Sequence, residues 1–178
     1  MRSSSGSIVM KGDTSIRMPS ADPIEVVRAL NAYWAVRPFA LVRELLLASE
    51  DWDDAVRRFE EAGLRADPID PDVEVVLDVD LIPEGAAWIG QRGRDQWISF
   101  WKWWFEAWDD LQIDDSDYEQ IGDHVVVEMH VTATPRGSTE SIETPVVQLF
   151  KLREGLICLY GVYPNRDDAL AAIMVEQP

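Results

Sequence analysis

The chain has 178 residues, 47% of them hydrophobic, enough to bury roughly 70% of its unfolded surface in one core without metals or cross-links. Its 33 acidic and 16 basic residues give a formal net charge of -17, which repels phosphate backbones and anionic lipid and argues against nucleic acid as a partner. Cys158 is the single cysteine and has no internal disulfide partner; residues 1–7 are followed by only three apolar residues before Lys11, too few for a signal-peptide core, and no run approaches the roughly 18 apolar residues of a membrane span. The expectation is a cytoplasmic protein, neither secreted nor membrane-spanning.

Residues 1–19 are Ser/Gly-rich and aperiodic, and read as a flexible leader. A first helix opens at Asp22-Pro23-Ile24-Glu25, where Asp22 can cap free amides and Pro23 suits the first helical position; Ile24, Val27, Leu30 and Trp34 follow at helical spacing. Pro38 interrupts the pattern, and a second helix carries Phe39, Val42, Leu45 and Leu46. A third, capped near Ser49, sets Trp52, Ala55, Val56 and Phe59 on one face and stops at Gly63. After a turn-rich stretch over 66–72, residues 73–79 alternate as a strand, and a loop with Pro83, Gly85 and Gly90 follows.

Residues 95–110 predict a helix whose Trp97, Phe100, Trp101, Trp104 and Trp108, then Leu111, form one stripe, with Trp103 turned away, either toward a second contact such as a subunit interface or partly exposed. The remainder reads as antiparallel strands over 112–120, 124–134, 142–152 and 156–163, joined by turns at Gly122-Asp123, 135–138 and Glu154-Gly155. Asn165 caps a terminal helix through Ala169, Leu170 and Ile173. Helices first and a curled sheet afterwards indicate an α+β fold.

Several runs stand in this order: Asp70-Pro71-Asp72-Val73-Glu74, Gly93-Arg94, Gly122-Asp123-His124-Val125-Val126-Val127, Lys151-Leu152-Arg153-Glu154-Gly155-Leu156-Ile157, and Tyr163-Pro164-Asn165-Arg166-Asp167-Asp168-Ala169-Leu170. Through them the chain resembles the SnoaL-like branch of the nuclear transport factor 2-like superfamily, over about residues 39 to 174. The resemblance implies a cone-shaped, curved antiparallel sheet enclosing N-terminal helices, as in a cystatin-like roll, with a ligand pocket at its open end and dimerisation through the outer sheet face. It divides the chain into a leader over 1–19, an additional N-terminal helix over 20–38 and a SnoaL-like domain over 39–178. Family members include isomerases, cyclases, dehydratases and hydrolases as well as binding proteins, so a shared fold implies a pocket and not a reaction.

Against the isomerase pattern of that superfamily, the donor position on the penultimate strand falls on Gln148, a neutral group able to orient a ligand carbonyl. The base position on the first strand falls on Leu77 or, with one bulged residue, on Asp78, although Asp78 alternates with Glu74 on the face opposite Val73, Val75 and Leu77. The Tyr position falls near Arg43 to Leu46, where no Tyr exists, so that catalytic set does not carry over. His130 is, by residue type, the natural candidate for a general base, yet it shares its strand face with His124, Glu128 and Thr132, opposite the apolar Val125, Val127, Met129 and Val131. Trp97, Trp101, Trp104 and Trp108 supply indole N–H donors that need partners when buried.

Two histidines and one cysteine do not compose an ordinary zinc site, and no Gly-rich phosphate loop or nucleophile elbow appears. The expectation is a homodimer that binds a small hydrophobic molecule, with isomerase, cyclase or lyase chemistry by acid/base action open to it and no metal or cofactor required. Two alternatives stand beside it: a noncatalytic homodimeric scaffold with a filled cone, and a regulatory protein whose N-terminal helix plugs the cavity.

Overall fold

The structure is a computed structural model that describes residues 22–35, 38–64, 68–78 and 91–176. The expected leader over 1–19, Val79, the loop with Pro83, Gly85 and Gly90, and the side chain of Trp34 lie outside the described residues. Three helices come first, α1 (Pro23–Ala35), α2 (Phe39–Ala48) and α3 (Trp52–Glu61), then β1 (Ile69–Leu77) and α4 (Arg94–Ala107). The strands β2 (Trp108–Ile121), β3 (His124–Pro135), β4 (Ile142–Arg153) and β5 (Leu156–Tyr163) follow, and α5 (Arg166–Glu176) closes the chain.

The sheet has the order β1-β5-β4-β3-β2. Neighbours from β5 to β2 are antiparallel, as the tight turns require, whereas β1 joins β5 in parallel and so departs from a purely antiparallel sheet. Period-two alternation gives the sheet two apolar faces. Val73, Val75 and Leu77, Val125 to Ala133 at odd positions, and Phe150, Tyr160 and Val162 pack against α1 to α4. On the other side Val126, Val147, Leu149, Leu159 and Tyr163 lie under Ala169 and Ile173 of α5.

Local chemistry sets the helix ends. Asp22 accepts from the Ile24 amide at 3.0 Å at the start of α1, and Asn165 accepts from the Asp168 amide at 3.0 Å at the start of α5. Helix α3 ends in a Schellman motif: Leu64 N–H reaches the Phe59 carbonyl at 2.7 Å, Gly63 N–H reaches Glu60 at 2.9 Å, and Gly63 has φ +72°. Its start is not at Ser49. Asp51 is the cap, accepting from the Asp54 amide at 2.9 Å, while Ser49 closes α2 by donating its hydroxyl to the Leu45 carbonyl at 2.6 Å.

Three further expectations are corrected. Helix α4 stops at Ala107, so Trp108 and Leu111 belong to β2: pairing with β3, Trp108 to Pro135 and Leu111 to Ala133, outcompetes another helical turn. The three- and four-residue spacing there coincides with a strand alternation of Leu111 and Ile113, both packed on the core. The even-numbered face of β3 is not uniformly solvated either. His124 is buried because this end of the face is covered by the α5 cluster that includes Val126, while Glu128 and His130 further along are exposed. The first strand also begins earlier than residue 73, at Ile69, which pairs with Ile157 before the register shifts ahead of Glu74. Trp103 is half-buried, against Phe100 and Trp104 at 6.2 Å each.

Candidate binding cavity

Helix α4 is anchored so that its apolar side faces the concave sheet. Gly93 enters with φ +99° and donates its N–H to the Val73 carbonyl at 2.8 Å, Arg94 Nε donates to the Ile69 carbonyl at 3.0 Å, and Asp95 accepts from the Trp52 amide at 3.0 Å. With β1 and α3 thus fixed against it, Trp97, Trp101 and Phe105 come to one side at four-residue spacing. They border a cavity of about 530 Å³. Its wall also includes Leu30 and Asn31 of α1, Phe39 of α2, Phe59 of α3, Met129 of β3, and Gln148, Phe150 and Tyr160.

The wall is aromatic and interlocked. Tyr160 sits 5.4 Å from Trp97 in an edge-to-face arrangement, 5.8 Å from Trp101 and 5.3 Å from Phe150. Polar side chains interrupt it, Asn31, Gln112 and Gln148 among them. Gln148, 7% exposed, donates Nε2–H to the Tyr160 hydroxyl at 2.9 Å. Its own Oε1 and the indole Nε1 of Trp101 are buried with no hydrogen-bond partner among the described residues. Burial pushes the Tyr160 phenol above its ordinary titration range, outweighing the Gln148 hydrogen bond, so the hydroxyl keeps its proton.

The described lining contains no Lys, Arg or His. Its carboxylates are Asp110 and Asp114 at the edge strand β2, both exposed, in alternation with Leu111 and Ile113, which pack on the core. On the same side Asn31 donates to the Tyr118 hydroxyl at 3.3 Å, and the Arg28 guanidinium lies 4.9 Å over the Tyr118 ring. Among the described residues no three His, Cys, Asp or Glu side chains are grouped as a metal site, and no helix is long and apolar enough to cross a membrane.

Of the residues singled out in the sequence, Gln148, Trp97 and Trp101 meet at this cavity. Trp104 and Trp108 are half-buried against the core 5.7 Å from one another and are not among the lining residues. Asp78 is one residue beyond β1, with its N–H on the Val162 carbonyl at 3.0 Å, and does not line the cavity. His130 lies on the outer face, 52% exposed and 3.9 Å from the Glu143 carboxylate. Gln148 therefore uses its amide N–H on Tyr160, and its oxygen is enclosed.

Tyr160 was not among the candidates, and a one-residue bulge explains why. Lys151 pairs with Leu159 and Leu152 with Ile157, so Cys158 is extra; its half-buried thiol donates to the Lys151 carbonyl at 3.4 Å. Counted regularly from the Arg153–Leu156 pair, Tyr160 would oppose Leu149 and face α5; the bulge places it opposite Phe150, inside.

A sheet wrapped on one side around helices, with a cavity between them, is the architecture of the nuclear transport factor 2-like proteins. Within that class, a family model for the SnoaL-like domain matches residues 42–160, and the chain belongs to that family. Helix α1, which supplies Leu30 and Asn31 to the wall, precedes the matched region. Among solved structures, the chain is similar to an NTF2-like protein from Burkholderia pseudomallei, with 14% identity, a TM-score of 0.53, and 88% of this chain and 98% of that one covered. An NTF2-like protein from Anabaena variabilis gives 17%, 0.53, 89% and 96%. TerC, co-crystallised with polyporic acid, gives 15%, 0.51, 86% and 98%. At such identities these likenesses establish the fold. Comparison with curated protein sequences gave no significant match.

Proposed function

We propose that this protein binds a small, largely apolar molecule in the cavity between its helices and the concave face of the sheet. The observation that carries the reading is the cavity itself, walled by Trp97, Trp101, Phe105, Phe150 and Tyr160 with Gln148 among them. The volume, about 530 Å³, lies within the roughly 300–1,000 Å³ of pockets for drug-sized molecules. TerC, which shares the fold, was co-crystallised with a small molecule, polyporic acid, and that is consistent with this use of it.

The reading is one of binding. That neither Asp78 nor His130 lines the cavity counts against giving either the part of base in isomerase, cyclase or lyase chemistry. The expected homodimer would use the outer face of β3, where Glu128 and His130 are exposed, and sedimentation velocity measures it directly. For the cavity, the test is titration of the full chain with N-phenyl-1-naphthylamine, an uncharged apolar fluorophore, with tryptophan excitation. Saturable energy transfer, reduced in Trp101→Leu, supports the reading; no saturable signal overturns it in favour of a scaffold with a filled cone.

A further inference from the structure

The lining of the cavity changes character from floor to mouth, which narrows what can fill it; the inference rests on the binding reading above. Leu30, Phe59, Trp97, Met129, Phe150 and Tyr160 stand in the wall and are buried. The lining residues that are exposed are Ala35, Asp110, Gln112 and Asp114, so the mouth opens between the end of α1 and the first half of the edge strand β2. Leu111 and Ile113 turn inward between them, which sets the two carboxylates on the rim, on the outer side of the strand. Strand β2 has no Lys, Arg or His, and the single basic residues of α1 and α2 are already paired, Arg28 with Glu25 at 2.7 Å and Arg43 with Asp109 at 3.7 Å. An apolar chamber whose described charges are all negative and stand at its mouth focuses a field of one sign there, in a chain of net charge -17.

We propose that the cavity takes a hydrophobic amine, with its apolar body among the buried aromatic rings and its ammonium group in the mouth, near Asp110 and Asp114. An ammonium left at the mouth keeps its hydration and escapes the cost of burying a charge, while the body leaves water for Trp97, Phe150 and Tyr160. The exposed carboxylates act across the rim through water and not in a buried ion pair, so salt screens their attraction. A carboxylate ligand of the same shape meets repulsion at the same place, and the described lining offers it no counter-charge.

Three near-isosteric naphthalenes separate the charges in calorimetric titrations of the full chain near neutral pH, where the amine is protonated: 2-naphthylmethylamine, 2-naphthylmethanol and 2-naphthoate. At about 0.01 M salt, where the Debye length is about 30 Å, the amine is expected to bind roughly 3- to 10-fold more tightly than the alcohol, and the carboxylate more weakly than the alcohol. At about 1 M salt, where that length is about 3 Å, amine and alcohol should converge. Replacing both rim carboxylates, Asp110→Asn together with Asp114→Asn, should remove the preference at low salt and leave the affinity for the alcohol unchanged. An amine no tighter than the alcohol overturns the proposal, as does a preference that persists at high salt, or one that survives the double substitution and so belongs to the net charge of the whole chain. The salt comparison within the unaltered protein needs no variant to fold. If N-phenyl-1-naphthylamine binds and the three compounds do not differ, the binding reading stands and this inference falls; if none of them binds, both fall.

Discussion

The ring of Tyr163 lies over the backbone of Gly161, so closely that a methyl group on Gly161 would meet Tyr163 Cε2 at 2.6 Å and its hydroxyl oxygen at 3.1 Å. Tyr163 has little freedom to withdraw, being buried with Leu159, Ala169 and Ile173 between the outer sheet face and α5. Gly161→Ala is therefore expected to destabilise the protein by about 1–3 kcal/mol in urea unfolding, as overpacking does, despite the smaller entropy of the unfolded alanine chain. In a Tyr163→Ala background the same change should be neutral or stabilising. Equal costs in both backgrounds would show that the ring does not set the requirement for glycine.

Gln148 and Tyr160 invite a double-mutant cycle on stability alone. Tyr160→Phe strands the Gln148 amide N–H, and Gln148→Leu strands the phenol, so each single change should cost about 1–2 kcal/mol. Replacing both removes every orphan of the pair, Gln148 Oε1 included, and should bring stability back to that of the unaltered protein or above it. Such an outcome is the signature of polar groups kept for a ligand at the expense of the fold. A double variant as unstable as the sum of the singles would mean the pair serves the core.

At the start of α3 the structure separates two residues that a sequence reading can exchange. Asp51→Ala removes the acceptor of the Asp54 amide and should cost about 1 kcal/mol. Ser49 bonds backward to α2, so Ser49→Ala leaves that amide capped, and hydrogen exchange should show faster opening of the first turn of α3 only in Asp51→Ala. Protection lost at Asp54 in both variants would refute the assignment.

What the sequence discloses here is whatever depends on neighbours in the chain. The caps at Asp22 and Asn165, the stop at Gly63 and the turn at Glu154-Gly155, with φ of 54° and 80°, follow from local rules, and the α+β order follows from periodicity. Trp108 resisted because a spacing of three and four residues fits a helix until pairing with Pro135 on another strand decides otherwise. Tyr160 resisted because one extra residue, Cys158, reverses which face it serves, and bulges have no sure sequence signature. Gln148 was visible as a polar residue amid Val146, Val147, Leu149 and Phe150, but which end of its amide is free depends on Tyr160, and only the fold brings the two together.

Asp70 and Arg153 join the beginning of β1 to the end of β4, at 2.8 Å and 3.2 Å from Asp70 Oδ2 to the two guanidinium nitrogens, with the Asp72 amide on Oδ1 at 2.9 Å. Burial, at 6% exposure, would raise this carboxyl; the Asp72 N–H and the Arg153 guanidinium, with Arg94 adding to them, outweigh it and hold the group below its usual value of 3.8. A carboxyl lowered in the folded state contributes stability that is complete above the unfolded pKa, about 3.9, and is lost as pH falls through the folded one. Asp70→Asn should thus cost about 1–2 kcal/mol at pH 7, and the gap to the unaltered protein should shrink steadily below about pH 4. Asp54 is also held low, at about 2, by Arg58 and Arg57, but it titrates in both proteins and drops out of the difference. Urea midpoints at pH 7, 4 and 3 measure that gap, and a gap unchanged across the series would mean that Asp70 holds the strand ends by shape and not by charge.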